Sequence, residues 1–108
     1  MVECEVMNLP IAKRWSRFRW DKLDEVPDVF GVYELADDND YIIYVGSGRL
    51  RDRLRGWKSS DDQCIMQARK FRYEELYSDE RCRQRERALL REYERQHGKL
   101  PRCNKRTG

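Results

Sequence analysis

The order of apolar and polar positions predicts most of the architecture. From Val29 to Leu35 the residues alternate, with Val29, Gly31 and Tyr33 on one face of an extended segment and Phe30, Val32 and Glu34 on the other. The run Tyr41-Ile42-Ile43-Tyr44-Val45 is apolar throughout, as in a central strand buried on both faces. Between them Ala36-Asp37-Asp38-Asn39-Asp40 is a polar string of turn formers, so the two segments form one hairpin. The hairpin places Tyr33 near Tyr44.

Gly46 and Gly48 flank Ser47 after the second strand, with Ser47 or Gly48 available to cap a helix. On that helix Leu50, Leu54 and Trp57 form the buried stripe, and Arg53 sits at its border, able to lean over the sheet. Lys58 to Asp62 reads as a polar loop, and Lys70 to Tyr77 as a third strand with Phe71, Tyr73 and Tyr77 on one face. Ser78 is the expected N-cap of a second helix running to His97, where Gly98 stops it. Cys82, Leu89, Leu90 and Tyr93 are its apolar stripe. Pro101 breaks any continuation, so the following tail must fold back or fray. At the other end, residues 2 to 7 suit a short strand, and Trp15 to Trp20 fits either a helical turn or an irregular cap.

One position breaks the second helix's pattern. Glu86 falls about 40° from Cys82 on the wheel, between Tyr93 at about 20° and Leu90 at about 80°. A carboxylate there requires an arginine partner, a metal ion or an opening to solvent, because burying an unpaired charge costs several kcal/mol. Glu92 is the competing acid, but at about 280° it lies off the stripe beside Arg91 and Arg95, as a surface ion-pair residue does.

Composition adds bounds. The 108 residues suffice for one domain, and with 40% charged residues and no apolar run near roughly 18 residues a membrane span is not expected. The N-terminus is acidic where an export signal is basic, which points to an intracellular protein, cytoplasmic or nucleoid-associated. Cys4, Cys64, Cys82 and Cys103 show no Cys-x-x-Cys spacing, so four reduced thiols are expected, with Cys82 in the core and no zinc site. Residues 1–54 carry a net charge of −3 and residues 55–108 of +6. Arg49, Arg51, Arg53, Arg55 and Lys58 crowd into ten positions, a patch suited to a polyphosphate.

Taken in order, Gly31-Val32-Tyr33, Tyr44-Val45-Gly46, Leu50-x-x-Arg53-Leu54, the acid on the later helix and the terminal Pro101-Arg102-Cys103-Asn104 resemble the GIY-YIG nuclease family over about residues 29–104. The resemblance implies an α/β (α+β) domain with a three-stranded antiparallel sheet flanked by helices, spanning 1–108 with residues 1–28 as an arm packed on it. It implies a metal-dependent endonuclease that hydrolyses DNA phosphodiesters with one divalent ion, Mg2+ or Mn2+. In that reading Glu86 binds the metal, Tyr33 and Tyr44 place or activate water, Arg53 stabilises the phosphate and Asn104 orients its neighbours. Arg49, Arg51, Arg55 and Lys58 would contact nucleic acid, and Lys70 or His97 are further candidates near the site. Counting back from Asn104 the family's spacing lands on Glu92, and counting forward from the third strand on Glu86; the helix face selects Glu86. Cys103 stands where relatives carry an aromatic residue.

The residue types suit the chemistry without the resemblance. Phosphodiester hydrolysis builds negative charge that a cation and a fixed guanidinium stabilise, and arginine grips phosphate bidentately. The expected partner is DNA, branched or nicked, with a protein partner supplying target choice, because the arm is too short for a separate reading domain. The alternative is a catalytically inactive nucleic-acid-binding module of the same fold. A protein-interaction domain built on Trp15, Phe18 and Trp20 is a third class.

Overall fold

A computed structural model describes residues 9–104. Its elements in chain order are β1 (Ser16–Arg17), α1 (Trp20–Leu23), β2 (Phe30–Ala36), β3 (Ile42–Arg49), α2 (Leu50–Lys58), a short 3-10 turn (Ile65–Gln67), β4 (Lys70–Glu75) and α3 (Asp79–His97). The four strands make one antiparallel sheet in the order β1-β4-β2-β3. The α+β class and the hairpin follow the sequence pattern. The sheet has four strands rather than three because the segment left open between helical turn and cap contributes β1, a two-residue edge beside β4. The expected strand over residues 2–7 lies outside the described residues.

The strand alternation of β2 divides the core. Tyr33 and Leu35 face α1 and α2, packing with Leu23, Ile43, Leu50, Leu54 and Phe71, whereas Val32 packs with Val45, Cys82 and Leu89 under α3. Glu34 also points toward the α3 side and is buried, its carboxylate accepting from Arg72 Nε at 2.7 Å directly across the β2–β4 ladder. Burial pushes the Glu34 carboxyl above its usual range, although the Arg72 charge opposes the shift. The Arg72 guanidinium lies over the Trp15 ring at 4.2 Å, so the arm covers this pair.

Local chemistry explains the boundaries. Asp37 Oδ1 accepts from the amides of Asn39 (2.9 Å) and Tyr41 (3.1 Å), closing the hairpin as an Asx turn. Ser78 caps α3 by accepting from the Arg81 amide, and Gly98 ends it with φ 76°. At α2 the expected cap fails. Arg49 holds the N-cap position without a side-chain capping bond, and Asp28 from the segment before β2 supplies the carboxylate instead, accepting from the Asp52 amide at 3.3 Å. Tyr77 departs from the expected shared face: β4 ends at Glu75, and Tyr77 is exposed with φ 61° while Phe71 and Tyr73 stack.

Two further expectations are corrected at the edge of the sheet. β3 is an edge strand, not a central one; α2 and α3 cover its two faces, and the chain after Pro101 folds back along its outer edge. The Cys103 amide donates to the Ile43 carbonyl at 2.8 Å, and Asn104 clamps Val45 by accepting from its N–H and donating to its carbonyl, both at 2.9 Å. The same return brings Cys103 to Cys64 at a Cα separation of 5.6 Å, and the two form a disulfide, so the expectation of four reduced thiols does not hold. Cys82 is buried and free, as expected.

Candidate functional site

Two features of β3 determine what meets at its edge. A register shift pairs Leu35 with Tyr44 but Ala36 with Ile42, leaving Ile43 as a bulge. The extra residue breaks the alternation, so Ile43 and Tyr44 both lie on the α2 side while Ile42 and Val45 lie on the α3 side. Tyr44 is thereby turned onto the same side as Tyr33, their rings 6.2 Å apart. Gly46 follows, and it permits this crowding: a Cβ there would lie 2.6 Å from the Tyr33 hydroxyl oxygen and 2.8 Å from Tyr44 Cε2.

Around Gly46 the two layers of the domain come together in an open cleft lined by Tyr44, Gly46, Ser47 and Arg53 from the β3–α2 side and by Asp79, Arg83, Glu86 and Arg87 from α3. The Arg53 stem packs over Gly48, whose added Cβ would meet Arg53 Cγ at 3.0 Å. Glu86 is half-exposed, so the acid on the apolar stripe is reconciled by an opening to solvent. Its Oε1 accepts a hydrogen bond from the Ser47 hydroxyl, and among the described residues it forms no salt bridge. Of the expected site residues, Tyr44, Arg53 and Glu86 therefore share one cleft. Tyr33 lies beneath it, fully buried, its hydroxyl accepting from Trp57 Nε1–H at 2.7 Å. Asn104 holds the β3 backbone between Tyr44 and Gly46 and does not line the cleft.

The remaining expected contacts lie elsewhere. Arg49 pairs with Asp28 at 2.9 Å and Arg55 with Asp24 at 2.7 Å, while Lys58 Nζ sits 5.2 Å from the Phe18 ring centroid. These three side chains tie α2 to the arm, with only partly exposed Arg51 adding its field to Asp28. Lys70 pairs with Asp40, and His97 rests against Tyr93. Glu92 makes the expected surface pair with Arg95, and that hydrogen bond, with a second from Gln96, holds its carboxyl at about 2. Sequence reasoning missed Ser47, Arg83 and Arg87. The two arginines are three residues before and one after Glu86, so the same helical wheel could have placed them at the rim.

Electrostatics set the state of the phenols. Burial raises the Tyr33 hydroxyl well above the ordinary tyrosine value, Tyr44 adds to the rise, and the Trp57 hydrogen bond and Arg53 oppose it. Tyr44 is raised too, first by burial and then by the Glu86 charge, with Arg53 and a hydrogen bond to Tyr33 acting against them. Both phenols hold their protons at neutral pH and Tyr44 presents a hydrogen-bond donor to the cleft. Together with Arg53 it suits a tetrahedral anion.

The residues also fit a hard divalent ion. One half-exposed carboxylate flanked by the Ser47 and Tyr44 hydroxyls suits a cation that keeps most of its water shell, whereas a site caged by three or more His, Cys, Asp or Glu side chains does not occur among the described residues.

The fold and cleft thus define an α+β domain with an open cleft of mixed charge beside the edge strand β3. Residues 9–96 match the family described as Domain of unknown function (DUF7508), and the chain belongs to that family. No curated protein matches the sequence. No helix among the described residues is long and apolar enough to cross a membrane.

Proposed function

We propose that this domain is a metal-dependent endonuclease of the GIY-YIG type, hydrolysing phosphodiester bonds in DNA, with β4-β2-β3 as its three-stranded core and β1 an addition from the arm. The observation that carries the reading is the meeting of Tyr44, Arg53 and Glu86, from a strand and two helices, in a single cleft over buried Tyr33.

The geometry supports a role for each residue in this reading. The Arg53 guanidinium, fixed by its stem over Gly48, takes the non-bridging oxygens of the scissile phosphate and neutralises the charge that grows on them. Tyr44 donates from its hydroxyl to the phosphate or to the attacking water. Tyr33, shielded from water, positions Tyr44 rather than touching substrate. Asn104 fixes the β3 backbone that carries Tyr44. Glu86 would hold the Mg2+ or Mn2+ ion, which supplies Lewis-acid stabilisation when bound. Arg83 and Arg87 extend the positive rim, although Arg83 is also paired with Asp79 on its own helix.

Incubation of the protein with duplex, nicked, flapped and branched DNA, with Mg2+ or Mn2+, tests the reading. Cleavage is expected in wild type and lost, by about a hundredfold or more, in folded Glu86→Ala and Arg53→Ala proteins. Absence of cleavage on every substrate with either ion overturns it. Salt-sensitive binding without cleavage would instead support the inactive binding module.

A further inference from the structure

Next to the Glu86 cleft, and sharing Arg53 with it, lies a second cleft of about 380 Å³ lined by Asp52, Arg53, Gly56, Trp57 and Ser60. Resting on the nuclease reading above, we infer that this second cleft receives an unstacked nucleobase flanking the scissile phosphate, so that the substrate is single-stranded or locally opened there.

Four observations converge on a base rather than a second phosphate. Among the described residues Arg53 is the sole cation on the wall, and Asp52 places a carboxylate beside it, which repels a phosphate and accepts from the amino edge of a base. Trp57 offers an aromatic surface that is already fixed: its N–H donates to Tyr33, and its ring contacts Tyr44 edge-on at 5.0 Å between centroids. A pre-positioned ring loses little freedom on stacking. Ser60 adds a hydroxyl able to donate or accept at the base edge.

Gly56 is the fourth. It lies inside α2, where glycine costs about 1 kcal/mol relative to alanine. Among the described residues no neighbouring atom demands its small size, because a Cβ added there meets nothing within 4 Å. The missing side chain therefore serves the open space of the cleft and not the packing of the protein. Since Arg53 borders both clefts, a phosphate held by its guanidinium lies beside both, and one of its two flanking nucleosides can turn toward Trp57.

Binding of the full chain to two fluorescent single strands, measured in EDTA so that turnover does not enter, tests the inference. One strand carries normal bases; the other has the same number of phosphates and abasic sugars throughout. Wild type is expected to bind the base-bearing strand roughly five- to a hundredfold more tightly. Gly56→Leu fills the cleft from a position with no neighbours among the described residues and removes the helix cost of glycine, so a thermal melt should equal or exceed that of wild type. It is expected to erase that preference while leaving affinity for the abasic strand unchanged. Equal wild-type affinity for both strands, failure to bind either, or a Gly56→Leu protein that keeps the preference or weakens both strands alike overturns the inference. The two readings fail separately: base-dependent binding without metal-dependent cleavage sinks only the nuclease, and cleavage with base-blind binding sinks only the base cleft.

Discussion

Breaking the cross-link between Cys64 and Cys103 should cost a large part of the margin by which this domain is folded. The bond closes a loop with a sequence separation of 39. Loop-closure entropy removed from the unfolded chain then contributes about 4 kcal/mol, between the roughly 3 expected for a fifteen-residue loop and roughly 5 for a hundred-residue one. Against a typical total of about 5–15 kcal/mol the loss is large. With a urea m-value of about 2 kcal/mol/M, the midpoint should fall by roughly 2 M in a Cys64→Ala/Cys103→Ala protein.

The atoms lost in that variant add a packing contribution, since Cys103 is only 7% exposed. Reduction of the wild-type protein isolates the cross-link itself, because no side-chain carbon is removed. Equilibrium urea unfolding with and without a thiol reductant should show a large part of the same shift. Hydrogen exchange supplies a local check: the Val45 amide, held by Asn104 Oδ1, should exchange faster once the tail loses its tether. A midpoint unmoved by reductant, together with all four cysteines reacting in a thiol titration of denatured, unreduced protein, would refute the pairing and the argument built on it.

Two other outcomes test the site's construction. Gly46→Ala sets a methyl 2.6 Å from the Tyr33 hydroxyl oxygen and 2.7 Å from its Cζ, and because Tyr33 is fully buried the strain should destabilise the fold by about 1–3 kcal/mol, read by urea unfolding; a stability equal to wild type would mean that the rings are not packed over Gly46. Titration of Tyr44, followed by NMR of Cζ-labelled tyrosine, should move down in Glu86→Gln, since a negative neighbour that disfavours the phenolate is gone, and up in Arg53→Ala, where a favourable positive neighbour is gone; no movement in either variant would separate Tyr44 from the cleft charges.

Periodicity carried much of the fold because it reports burial directly. Val32 and Tyr33 on opposite sides of β2, Leu50 and Leu54 under α2, and Cys82 and Leu89 under α3 could all be placed by counting residues. Glu86 was legible for the opposite reason: a carboxylate inside an apolar stripe is a local inconsistency, and the opening beside Ser47 resolves it. Contacts between distant segments left no such trace. Glu34 and Arg72 pair across the ladder of two strands that are not consecutive in the chain, where burial sets the register and neither residue's neighbours in sequence do. Asp28 caps α2 from before β2, and Arg49, Arg55 and Lys58 look like an anion-binding row until their acidic and aromatic partners in the arm are known. A basic run indicates charge, but only the fold determines how much of it remains unpaired.

The tyrosine pair shows how one irregularity turns a regular element into a site. With unbroken alternation, Tyr44 would share the side of Ile42 and point beneath α3, away from Tyr33 and Trp57. Insertion of Ile43 as a bulge shifts the phase from Tyr44 onward, so Tyr44 joins the α2 side and Val45 and Ser47 turn to face α3. The bulged carbonyl is the one that receives the Cys103 amide, and the next outward pair, at Val45, is the one that Asn104 holds. The returning tail thus braces β3 where its ladder is perturbed, and the covalent link at Cys103 holds the brace in place. Gly46 then lets the two sides communicate around the strand edge, since any side chain there would fill the space between Tyr33 and Tyr44. Tyr44 and Arg53 from one layer can reach the same small volume as Glu86 from the other because the strand between them is bulged, clamped and bare at successive positions.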